Sequence, residues 1–148
     1  MSIGIGKAVI AGLAGTAAMT VVGLWVAPLM GIARMNPAEM LAGAMGGLLL
    51  LGWAAHAMIG VGLAIGYALA GGYLPGPPVA RGALYSIAPW LMAQLVVMPM
   101  MGMPLFSGAV SLAMGSLLGH LMYGSIVGTL YGAPQRVASA TLAGMAAR

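Results

Sequence analysis

The sequence predicts an all-α membrane protein: four transmembrane helices in an up-down-up-down bundle, built from two duplicated helical hairpins in parallel repeat. Three observations predict it. The 148 residues are 62% hydrophobic and only 4% charged, against about 25% charged in a soluble domain, so the surface has to face lipid. Four apolar stretches each supply the roughly 20 residues that a transmembrane helix needs. The second and fourth stretches share a histidine-centred pattern, and the first and third end on the same Pro/Gly pattern.

The elements follow in order. Lys7 and the apolar run behind it have the look of a signal peptide, but the run continues to about Ala33, too long for a signal h-region. It is read as span 1, about residues 7–31. Asn36-Pro37-Ala38-Glu39 reads as the start of span 2, with Asn36 as N-cap, Pro37 in the first turn and Glu39 closing a capping box. Span 2 is expected to run from there to about Gly72. The Pro/Gly stretch 73–78 is a linker. Span 3 is expected over about 80–101, Gly102-Met103-Pro104 as a turn, and span 4 over about 107–132. The whole chain, 1–148, is thus one membrane domain: hairpin repeat 1 over about 7–72, a linker at 73–79, hairpin repeat 2 over about 80–132 and a C-terminal cytoplasmic tail at 133–148.

The charges orient it. Lys7, Arg81, Arg136 and Arg148 fall on one side, whereas Arg34 and Glu39 fall on the other and cancel. By the positive-inside rule both termini are expected in the cytoplasm, with the chain multi-pass in a bacterial inner membrane. The net charge of +4 is therefore an orientation signal, and no basic cluster with interleaved aromatics points to nucleic acid. There are no cysteines, which excludes disulfides, thiolate metal sites and cysteine nucleophiles. No carboxylate pair, Ser-His-acid set or phosphate loop is present, so an enzyme is not expected.

His56-x-Met58-x-Gly60 followed by Tyr67 matches His120-x-Met122-x-Gly124 followed by Tyr131. Pro28-Leu29-Met30-Gly31 likewise matches Pro99-Met100-Met101-Gly102. Both hairpins enter from the same side, so the repeat is parallel, about an axis along the membrane normal. His56 and His120 are then expected at one depth. Residues four apart share a helix face: Gly52, His56 and Gly60 on span 2, and Ser116, His120 and Gly124 on span 4. Each histidine thus stands on a ladder of small residues.

Two readings of those ladders compete. Small residues let membrane helices approach closely, and each histidine then only donates a hydrogen bond to a neighbour such as Thr20 or Gln94. Alternatively, the small neighbours clear a flat space for a macrocycle. Adjacent helices pack about 8–10 Å apart, which leaves diagonal ones roughly 12–14 Å apart, a fitting span for two imidazoles on one haem iron. An intramembrane ionisable residue is a functional hypothesis by default. The expected site is therefore haem b on His56 and His120, with Gly52, Gly60, Ser116 and Gly124 beside them and Trp53 as a wall.

The chain has 15 methionines. Met98, Met100, Met101 and Met103 resemble a thioether cluster for Cu(I), although methionine also fills gaps in packed helices. The histidines are expected to lie deeper than this cluster, so that one site does not use both.

Three stretches, MIGVGLAIGYALAGGYLPGPPVARGALY, PWLMAQLVVMPMMGM and MGSLLGHLMYGSIVGTLYG, resemble a family of small bacterial four-span proteins known only as a domain of unknown function. The likeness covers roughly residues 10–132. It implies a membrane protein and no particular activity.

The expected function is an integral membrane cofactor-binding module with one bis-histidine haem b, passing electrons or serving as a small subunit of a larger redox or photosynthetic complex. Its expected partners are membrane lipid and other membrane subunits or further copies of itself. The alternatives are a structural or assembly subunit without cofactor, and a Met-rich Cu(I) binding or transport protein.

Overall fold

The computed structural model describes residues 4–134. Among these residues the regular elements are all helical. They are α1 (Ile5–Leu29), α2 (Pro37–Ala44), α3 (Leu49–Tyr73), α4 (Pro78–Met100) and α5 (Val110–Tyr131). All but the short α2 are long and apolar enough to cross a membrane, so the chain is a multi-pass, all-α membrane bundle. The tail from residue 135, with Arg136 and Arg148, lies outside the described residues.

Two helix starts differ from the sequence expectation. Asn36 does cap a helix: its Oδ1 accepts from the backbone N–H of Ala38 at 3.1 Å and of Glu39 at 3.4 Å. That helix, however, is α2, and it stops short of the membrane span. Gly46 and Gly47 have φ of +82° and +87°, a left-handed backbone that glycine alone adopts freely. The chain turns there, and α3 begins at Leu49. Glu39 closes no capping box; its carboxylate takes Arg34 at 3.3 Å instead. At the second site, α5 begins at Val110 rather than Ser107. Residues 105–108 form a tight turn in which Phe106 and Ser107 hold φ of +52° and +60°.

Packing joins α4 to α5, α5 to α1, and α1 to α3, while α2 lies on α3. Between α3 and α4 there are few contacts, as there are between α3 and α5. The four spans therefore form a ring with one open seam, α3/α4, and α3 and α5 are diagonal as expected.

The small residues make the closed contacts possible. A Cβ on Gly82 would strike the carbonyl of Gly124, and one on Gly124 the carbonyl of Gly82. On the other side of the ring, a Cβ on Gly12 would lie 2.8 Å from the Gly60 carbonyl oxygen. Close backbone approach of this kind is how membrane helices pack without a hydrophobic driving force.

The two hairpins share local features. A π-turn interrupts α1 at Val22–Val26 and α4 at Ala93–Val97. Pro28 and Pro99 follow at the same interval, and then Gly31 and Gly102, each with φ of +77°. A π-turn takes a carbonyl out of the helical ladder. In the first hairpin the freed carbonyl of Gly23 accepts the N–H of Met35 at 3.0 Å, which ties the following loop back onto the helix. In the second, the equivalent position is Gln94. Its side-chain Oε1 accepts from Ser107 Oγ at 2.9 Å, so a side chain ties down that loop.

Candidate functional site: an intramembrane cavity

The stapled loops roof a cavity of about 200 Å³ in the half of the bundle away from Lys7 and Arg81. Met35, Met40 and Leu41 line it from the first loop and α2, and Met101 and Ser107 from the second. At its inner limit the Tyr123 hydroxyl donates to the Gly60 carbonyl at 2.6 Å, joining α5 to α3. Beyond that bond the helices are closely packed around Ala8, Ala64, Tyr67 and Val127.

Both histidines line this one cavity. Their hydrogen bonds assign the tautomers. His120 Nδ1 lies 2.9 Å from the carbonyl oxygen of Ser116. A carbonyl only accepts, so Nδ1 carries the hydrogen and Nε2 keeps its lone pair. His56 Nε2 lies 3.2 Å from Thr20 Oγ1, but the Thr20 hydroxyl hydrogen already goes to the Thr16 carbonyl at 2.8 Å. His56 Nε2–H therefore donates to Thr20, and the lone pair sits on Nδ1. Each imidazole is fixed through one nitrogen and offers the other, the arrangement of histidines that ligate metals.

A second polar chain adjoins His120. Gln94, fully buried, donates from Nε2 to Ser116 Oγ at 3.1 Å and accepts from Ser107. Of the two partners foreseen for the histidines, Thr20 binds His56, whereas Gln94 reaches His120 only through Ser116. Trp90 Nε1 donates to the Ala113 carbonyl at 3.2 Å, and its ring lies against Phe106, which supports the strained turn that carries Ser107.

The other foreseen residues divide. Gly60 and Ser116 line the cavity, but the space over Gly60 is taken by Thr16. Gly52 and Gly124 are spent on helix contacts, Gly52 against Ala38 of α2 and Gly124 against Gly82. They clear no slot for a ring. Trp53 faces outward, 39% exposed, with its ring centroid 6.4 Å from that of His56.

The methionines also divide. Met98 and Met101 line the cavity with the histidines, so the expected separation of thioethers from imidazoles does not hold. Met98 and Met101 follow the Ala93–Val97 π-turn, whose Gln94 is tied to Ser107 in the same lining. Met100 is 82% exposed, and neither it nor Met103 is among the lining residues. Met35 and Met40, near the start of α2, are lining thioethers that the sequence left unassigned to a site.

Fold and cavity together define a multi-pass helical membrane protein with a histidine- and methionine-lined pocket between its spans. The chain belongs to the family of unknown function DUF6789, whose match covers residues 3–145. No curated protein and no solved structure matches it.

Proposed function

We propose that the chain is a cofactor-binding module of the bacterial inner membrane, with both termini cytoplasmic, that holds one b-type haem on His56 and His120. The observation that carries this reading is the meeting of two oriented imidazoles, each with a free lone pair, on one apolar cavity. Bound there, a haem would supply one-electron chemistry, which suits a small subunit of a larger redox assembly. His120 offers Nε2 as it stands. His56 offers Nδ1, the nitrogen beside its own Cβ, so ligation through Nε2 needs the ring to leave Thr20. The cavity is smaller than the roughly 300–1,000 Å³ usual for drug-sized ligands, and a haem would extend from it through the open α3/α4 seam.

Cu(I) is the second reading. It is favoured by the thioethers of Met98 and Met101 in the same lining and by the fact that either imidazole nitrogen serves a bare metal ion. The test is titration of the detergent-purified protein with haemin and, separately, with Cu(I). One-to-one haem binding that is lost in His56→Ala and in His120→Ala supports the first reading. Cu(I) binding that is weakened by Met98→Leu, with no haem bound, supports the second. Absence of both leaves a structural subunit whose histidines only pack.

A further inference from the structure

We propose that the cavity is loaded from the lipid phase, through the α3/α4 seam, and that its ligand is therefore an apolar molecule dissolved in the bilayer. This rests on the cavity holding an organic ligand, as in the haem reading and not the Cu(I) one, and it adds the route and the solvent from which the ligand comes.

The seam is the one side-by-side pair in the ring that scarcely touches. The cavity's lining residues are buried or half-buried, with two exceptions: Ile59 on α3, 48% exposed, and Met92 on α4, 54% exposed. A residue that both lines a cavity and meets the surroundings marks its mouth, and these two belong to the two helices of the seam. Their level lies within the membrane span, since Ile59 follows His56 by one turn and Met92 precedes Gln94 by two residues.

The other two ends are tied by hydrogen bonds and close contacts. Toward the loops, Met35 is tied by its N–H to Gly23 and packs over Gly115, where even a Cβ would meet its methyl at 2.6 Å. Ser107 is tied to Gln94. Toward the opposite end, the Tyr123–Gly60 bond and the close α1/α3 and α4/α5 contacts hold the helices together. The mouth is apolar on both sides, so water and ions gain nothing by entering there, whereas an apolar ligand already in the bilayer keeps its solvent until it meets the polar groups inside.

The test uses the native absence of cysteines. A nitroxide spin label at Ala93→Cys, on the cavity lining beside Met92, is examined by electron paramagnetic resonance in proteoliposomes, with oxygen as the lipid-phase relaxer and a nickel chelate as the aqueous one. A label at Leu13→Cys, on the exposed outer face of α1, gives the lipid reference. Leu63→Cys, on the α3 side of the cavity, repeats the measurement should Ala93→Cys fail to fold. The expected result is oxygen accessibility within about twofold of the Leu13 label and little response to nickel. Dominant nickel accessibility would mean an aqueous route, and low accessibility to both would mean a sealed cavity; either overturns the proposal. Because no haem is needed, failure here is separable from failure of the haem reading.

Discussion

His56 Nε2 and Thr20 Oγ1 stand 3.2 Å apart across the α1/α3 interface, with the hydroxyl hydrogen committed to Thr16. That one contact fixes which nitrogen of His56 is free, and it separates the two metal readings. Thr20→Val keeps the shape and removes the acceptor. If haem binds through Nε2, the variant binds haemin more tightly, by the worth of one hydrogen bond, about 2- to 12-fold. If Cu(I) binds through Nδ1, Thr20 is the outer partner that orients the ring, and its loss weakens Cu(I) binding by roughly 10- to 100-fold. Parallel haemin and Cu(I) titrations of Thr20→Val check both.

The α4/α5 contact tests the packing account. Gly82→Ala places a methyl against the Gly124 carbonyl and is expected to destabilise the protein by about 1–3 kcal/mol, the usual cost of overpacking. Gly62→Ala, on a helix surface with nothing within 4 Å, is expected to be neutral or slightly stabilising. Reversible unfolding in mixed micelles compares the two.

Ser107 pairs a strained backbone with a hydrogen bond. Ser107→Ala loses the bond to Gln94 but keeps the positive φ, and it is expected to cost about 1 kcal/mol. Ser107→Gly loses the same bond but relieves roughly 1–2 kcal/mol of left-handed strain, so its stability is expected to match or exceed the wild type. The order Gly above Ala, read from thermal unfolding, is the prediction.

Tyr123→Phe removes the bond to the Gly60 carbonyl and nothing else. A cost of about 0.6–1.5 kcal/mol is expected, read from reversible unfolding in mixed micelles. Unchanged stability would show that this bond does not hold α5 to α3.

Much of the fold was legible because hydrophobic length and small-residue spacing are local signals. The four spans and the diagonal placement of His56 and His120 follow from them, and the Asn36 cap follows from the Asn-Pro start of its helix. The break between α2 and α3 was missed: the Gly46-Gly47 pair is a turn signal, but it lies in an apolar run that reads as one continuous span, and the positive φ of both glycines places the turn there. The site was legible in part. The two histidines stood out as lone polar residues among glycines, but those glycines serve helix contacts. The cavity comes instead from π-turns and loop staples, which depend on a freed carbonyl at Gly23 and on Gln94 reaching Ser107. Such pairings across a loop leave no periodic trace, which is also why Met35 and Met40 passed unnoticed as lining residues.

The most direct measurement is the visible absorption spectrum of the protein purified in detergent after expression with ample haem supply, oxidised and then dithionite-reduced. The expected result is a Soret band that sharpens with a resolved α band on reduction and disappears in both His56→Ala and His120→Ala. A featureless visible spectrum, from protein whose folding is verified, would contradict it.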